Sequence, residues 1–182
     1  QQLGGKMLQI EEQEKQKDDA ASVISAKSEG ITRMRDALYK DGGIYSRTGT
    51  AASGMTDDAL KTADTIRNDI IGKLKDPDQI AAFESTWSSY SDSLGNTIAA
   101  NEADQRVKTR TAAKTSALAN LTTDALVNFD KPEMLSKNFD DMRRMIRANP
   151  DNLPAEMVAQ LERESISSMH VAVIQRMAQD NP

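Results

Sequence analysis

The sequence predicts an all-α fold, an elongated array of about five helices with one very long central helix and coiled-coil-like packing. Three observations carry this. Ala, Gln, Glu, Lys, Asp, Ser, Thr and Met supply much of the chain, while Val, Ile, Tyr, Phe and Trp are sparse and never alternate over the length of a strand. Ile80, Phe83, Trp87, Tyr90, Leu94 and Ile98 recur at steps of three and four, which is the spacing of a helical seam. No proline falls between Pro77 and Pro132 to interrupt the helix that carries this seam.

The first helix is expected from about Lys6 to Tyr39. Met7, Leu8 and Ile10 open it, but Glu11 to Asp19 is polar throughout, all charged but Gln13 and Gln16, and offers a core no face. That part is a solvated helix held by pairs such as Glu11 with Lys15, or it frays. Beyond it Ala20, Val23, Ile24, Ile31, Met34 and Leu38 recover a helical spacing, crossed by Gly30 at a cost of about 1 kcal/mol relative to Ala. Residues 1–41 therefore read as a polar N-terminal helix.

Residues 42–55 read as a glycine-rich loop, since Gly42, Gly43, Gly49 and Gly54 cluster there. Thr56 then supplies an N-cap, with Asp57 and Asp58 suited to the positive end of a second helix. Leu60, Ala63, Ile66, Ile70, Ile71 and Leu74 give that helix its apolar spacing to about Lys75. Asp76-Pro77 restarts the chain with Asp as cap and Pro in the first turn, where its missing N–H costs nothing. After the seam, Val107, Leu118, Leu121, Ala125 and Leu126 continue a weaker apolar face, so residues 56–128 form a helical hairpin with the long helix as one arm.

Unbroken, that helix spans roughly 75 Å at 1.5 Å per residue. A compact globule of this chain length is only about 40 Å across. Either the fold is elongated or the helix breaks near Gly95-Asn96, and elongation is expected. Residues 129–182 read as a C-terminal helix pair. Asp130-Lys131-Pro132-Glu133 is another capped start, opening a fourth helix whose stripe is Met134, Leu135, Phe139, Met142, Met145 and Ile146, stopping before Pro150. The last helix opens around Asn152 to Pro154 and places Met157, Leu161, Met169, Val173, Ile174 and Met177 on one side.

Composition limits the chemistry. Of 182 residues, 38% are hydrophobic and 4% aromatic, which supports a thin core only. The absence of Cys excludes disulfides and thiolate sites, and a single His excludes a multi-histidine metal cage. No run of about 18 apolar residues is present to span a membrane, and no basic leader precedes a short hydrophobic core. The chain begins at Gln1 rather than Met and ends with Asp180-Asn181-Pro182, a pattern that starts helices, so continuation into a longer protein is expected.

Several residues invite a catalytic or binding reading, and each has a blander one. Glu84-Ser85 and Glu164-Ser165 match the Glu-Ser pair in which lytic transglycosylases carry their acid/base, a chemistry that needs a carboxyl with a raised pKa beside a glycosidic oxygen. The glycine and tyrosine motifs that build the sugar cleft are absent downstream, so neither glutamate is assigned to catalysis. His170 has no second His or Cys to complete a metal site and reads as a packing residue. Arg106, Arg110 and Lys114, with Lys108 nearby, make a basic stripe, and Arg143, Arg144 and Arg147 a second cluster. Both sit in an acidic chain of net charge -5, beside Glu102 and Asp104 in the first case, so solvated faces rather than a nucleic-acid surface are expected. The loop Asp41 to Gly54 lacks the Gly-Lys-Ser/Thr ending of a phosphate loop. Six of nine methionines lie from Met134 onward, available for core packing or an adaptable binding surface. No catalytic, cofactor-binding or metal-ligating residue is assigned. The candidate partner-binding residues are Ile80, Phe83, Trp87, Tyr90, Leu94 and Ile98, although their spacing does not distinguish a seam sealed within the chain from one sealed against another subunit.

The order of features from Gly42 onward resembles the large helical virion proteins of tailed bacteriophages, the internal or tail-associated group linked to genome ejection. The resemblance rests on Gly42-Gly43-Ile44-Tyr45-Ser46-Arg47-Thr48-Gly49, on Asn101-Glu102-Ala103-Asp104-Gln105-Arg106, and on His170-Val171-Ala172-Val173-Ile174-Gln175-Arg176-Met177 leading into Asp180-Asn181-Pro182. It implies a structural component of the particle, made in the host cytoplasm and located in the virion. Its partners would be other virion proteins or further copies of itself. Members of the group can carry a cell-wall-cleaving domain elsewhere, and nothing in these residues matches one. Narrow apolar stripes would then supply assembly energy, at about 0.8 kcal/mol per buried methylene. A cell-wall hydrolase segment using Glu84 or Glu164, and a bacterial coiled-coil adaptor, are the two other function classes compatible with the sequence.

Overall fold

In the computed structural model, residues 2–149 and 152–180 are described, and among them every regular element is helical. Helix α1 spans Gln2–Tyr39, α2 Met55–Ile71, α3 Pro77–Val127, α4 Pro132–Arg147 and α5 Ala155–Asp180. The glycine-rich segment between α1 and α2 folds into two short 3-10 turns, Ile44–Ser46 and Gly49–Ala52. Five helices and the long central one agree with the sequence. Helix α3 runs through Gly95 and Asn96 without a break. The stop expected before Pro150 falls at Arg147, and Pro150 itself lies outside the described residues.

Packing divides the chain into two compact units, Gln1–Arg106 and Val107–Pro182. The division falls inside α3, not at the loop and helix ends that punctuate the sequence.

The first unit is built on α1, α2 and the N-terminal part of α3. Its core joins Ala26, Met34 and Leu38 of α1 with Met55, Ala59, Ala63, Ile66 and Ile70 of α2 and Phe83, Trp87 and Ile98 of α3. Small residues let the backbones of α1 and α2 come close, whereas α3 stands off on its aromatic side chains. Gly30, which reads in the sequence as a weak point of α1, is buried under Trp87 and is where the bulky indole is accommodated. Ile24, expected in the core, faces solvent instead. Residues 6–18 of α1 are exposed along their whole length, as the charged run from Glu11 requires. Ion pairs tie the helices at their margins: Lys15 to Asp76, Arg33 to Asp69, Lys73 to Glu29 and Arg67 to Glu84.

The start of α3 follows the sequence closely. Asp76 accepts a hydrogen bond from the Asp78 N–H at 2.9 Å, and Pro77 occupies the first turn. The start of α2 does not. Its N-cap is Gly54, at φ 82°, and no side chain of its own segment caps it. At α4 the N-cap is Lys131 rather than Asp130, with no side-chain cap, and only Pro132 in the first turn follows the expectation.

The second unit packs the C-terminal part of α3 with α4 and α5. Ala125, Phe139, Met142, Ile146, Met169 and Val173 form its core, flanked by Leu118, Leu121, Phe129, Leu135 and Leu161. Helix α4 joins α5 through a turn in which Asn149 and Asn152 take positive φ. Asn149 steadies it by exchanging two hydrogen bonds with the backbone of Leu153, a local bonding habit that suits Asn to turns. The stripe expected on α5 separates in the structure: Met169 and Val173 are buried, while Met157, Ile174 and Met177 are exposed. The reason is angular, since twelve residues between Met157 and Met169 rotate about a third of a turn around a helix of 3.6 residues per turn.

Candidate functional site

The seam of α3 is closed from within. Phe83 and Ile98 are fully buried and Trp87 nearly so. Tyr90 and Leu94 pack against the same core, and Ile80 is half-buried. Phe83 stacks on Trp87 with ring centroids 5.7 Å apart, and Trp87 meets Tyr90 at 5.3 Å. The surface expected to hold a partner is therefore occupied by α1 and α2. The physical reason is that Ala26, Gly30, Ala59 and Ala63 present a face small enough to admit three aromatic rings.

The loop end of this unit holds a polar constellation that spacing alone does not disclose. Glu102 on α3 is 5% exposed, and its carboxylate reaches the N-terminus of α2. The Gly54 N–H donates to Oε1 at 3.0 Å; the Thr56 N–H at 3.0 Å and the Thr56 hydroxyl at 2.8 Å donate to Oε2. Arg106, one turn along α3, donates to Oε1 from the solvent side. Helix N-termini leave their first N–H groups without intrahelical acceptors and carry partial positive charge, so a carboxylate is well matched to the position. These backbone and hydroxyl donors hold the Glu102 carboxyl down to about 2, against an ordinary value of 4.5. Two further contacts strap the loop: the Gly49 N–H donates to Gln105 Oε1 at 3.2 Å, and Arg47 pairs with Asp58 at 2.6 Å. Thr56, expected to cap its own helix, instead delivers its hydroxyl to Glu102. The arrangement is a clasp that orders the glycine-rich segment. Its acceptor and donors are 46 and 48 positions apart in sequence, beyond the reach of any local motif.

The other candidate residues sit as follows. Glu84 is half-exposed and ion-paired with Arg67. Glu164 is exposed and accepts a hydrogen bond from Gln160 at 2.8 Å. His170 is exposed and stacks on Phe139, ring centroids 4.1 Å apart, while Arg176 lies over the Phe129 ring at 5.3 Å. Among the described residues no group of three or more His, Asp or Glu is placed to hold a metal ion. Arg143 and Arg144 pair with Asp140 and Asp141 within α4, and Arg147 makes a two-pronged pair with Glu162 at 2.6 and 2.7 Å. The second basic cluster is thus a network of ion pairs, and in the first stripe Arg106 is committed to Glu102. Arg110 is exposed, and Lys108 and Lys114 also engage neighbouring groups. No helix among the described residues is long and apolar enough to cross a membrane.

What the geometry defines is an all-α protein of two units, one with a strapped loop and a sealed aromatic seam, the other with apolar side chains on both sides of its last helix. No family model, no curated protein and no solved structure matches the chain.

Proposed function

We propose that this chain is a non-enzymatic structural segment of a tailed-phage virion protein, internal or tail-associated, that works by helix-to-helix association and travels with the particle, with genome ejection as its setting. The observation that carries the association reading is the outer side of α5. Val171 and Ile174 are exposed there, opposite the buried Met169 and Val173, so one helix has an apolar face to spare after the core is made. The virion assignment is supported by the resemblance of the segments Gly42 to Gly49, Asn101 to Arg106 and His170 to Met177.

The same reading explains the two glutamates that invite comparison with cell-wall hydrolases. A general acid of that kind is sealed in an apolar cleft, whereas Glu84 is ion-paired and Glu164 lies on an open helix surface. The test is mass spectrometry of purified, gradient-banded particles from cultures of the phage that encodes the chain. The reading expects the chain in the particle band at a fixed ratio to the capsid and tail proteins. Recovery only in the particle-free lysate contradicts it.

A further inference from the structure

Along α3, Glu102 and Ala125 are buried, but no residue from Ala103 to Asp124, about six turns of helix, is buried. From Arg106 to Ser116 only Thr109 and Lys114 are partly covered, and both engage neighbouring groups. Val107, the one large apolar side chain in this stretch, is 46% exposed. We propose that the middle of α3 is a weak link built into the helix, a segment that opens while the cores on which its two ends are packed stay folded.

Most of the stability of a helix in a protein comes from burying an apolar face. The middle of α3 buries none, so it is held by its backbone hydrogen bonds and by the local preferences of its residues. Several of those preferences oppose the helix. Arg106, Arg110 and Lys114 stand at steps of four, and like charges at that spacing repel one another along a helix. Glu102 draws on Arg106 from one turn back, and Asp104 stands four residues before Lys108, so the repulsion is offset in part at the start of the stretch but not at Arg110. Thr109, Thr111 and Thr115 are branched at Cβ and lose side-chain freedom against the preceding turn. Ala112 and Ala113, the best helix formers, keep the centre wound. Opening here uncovers no buried side chain, whereas opening either core strips Trp87 and Phe83 on one side or Met142 and Met169 on the other. The local opening therefore lies below the unfolding of both cores in free energy. Restarting a helix beyond an internal gap is costly, which keeps the closed form dominant. The basic stripe thus has a mechanical role that needs no ligand.

This inference concerns α3 alone and stands independently of association and of the virion assignment. Amide hydrogen exchange of the full chain tests it. Amides from Val107 to Ser116 are expected to be at least about tenfold less protected than those around Trp87 and Met142. A112G/A113G places two poor helix formers at exposed positions and is expected to speed exchange in the stretch by at least about tenfold, with protection at Trp87 and Met142 unchanged. R110E converts the repelling series into alternating charges and is expected to slow exchange there by about fivefold, an effect that fades in high salt. Protection from Val107 to Ser116 equal to that at Trp87 in the wild-type chain overturns the proposal. So does an A112G/A113G chain in which Trp87 and Met142 lose protection as much as the stretch itself, because α3 would then open only together with its cores. An R110E chain whose stretch exchanges as fast as wild type removes the repulsion as its cause.

Discussion

Gly30 of α1 and Trp87 of α3 meet so closely that a methyl group on Gly30 would lie 2.5 Å from the indole Cζ3 and 3.1 Å from Ile70 Cδ1. No real contact between carbon atoms is that short, so the indole is seated over bare backbone. Replacing Gly by Ala inside a helix ordinarily gains about 1 kcal/mol. Here G30A forces a fully packed ring to move, and overpacking of a core costs about 1–3 kcal/mol. The variant is predicted to be less stable than wild type, measured by urea unfolding followed through Trp87 fluorescence. Equal or greater stability would show that the ring has room to yield.

Gly95 provides the opposite case. A methyl group there meets only the end of Leu60, with Cδ2 at 3.2 Å, and Leu60 is partly exposed and free to turn aside. G95A is therefore predicted to stabilise the first unit by about 0.5–1 kcal/mol through helix propensity. Loss of stability in the same urea titration would mean that Leu60 is held as rigidly as Trp87.

The clasp at Glu102 has a defined pH dependence. Its carboxyl sits at about 2 in the folded chain against an ordinary 4.5, so the folded state binds the proton less readily than the unfolded state. Its contribution is complete above about pH 4.5 and is lost as pH falls toward 2. E102Q keeps the shape but not the charge, and the slope of stability against pH below 4.5 is predicted to flatten. Amide exchange at Gly54 and Thr56, whose N–H groups donate to this carboxylate, is predicted to quicken in E102Q at neutral pH. An unchanged acid profile and unchanged protection would contradict the assignment.

In the second unit, Asn138 is 5% exposed, and its Nδ2 finds no hydrogen-bond acceptor among the described residues. A buried donor left unmade costs about 1–3 kcal/mol, whereas an apolar group of the same shape makes no such demand. N138L is predicted to raise the stability of this unit by about 1 kcal/mol. A loss of stability would reveal an acceptor that the side chain reaches in solution.

The α3 seam was legible because a 3.6-residue period is written into one stretch of chain, and the start of α3 because Asp76 and Pro77 act locally. What covers the seam was not. Its cover depends on Gly30, Ala59 and Ala63, residues whose role is their smallness, and on its own Gly30 reads as a defect in a helix. The clasp was hidden for a different reason. Glu102 looks like a neighbour of a basic stripe, and only folding carries it to Gly54 and Thr56. On α5 the apolar residues are plain in the sequence, but reading them as one stripe sets Met157 and Ile174 beside Met169 and Val173, although their angular positions point away from the core. That error matters most for function, because the outward residues are the ones left for association.

The most direct measurement is the dilution dependence of Trp87. The account holds that its environment is made by α1 and α2 of the same chain, while any pairing takes place on α5. Over about a hundredfold dilution, the emission maximum of Trp87 and the midpoint of the first unit's unfolding are predicted to stay constant. A red shift and a falling midpoint on dilution would show instead that another subunit seals the seam.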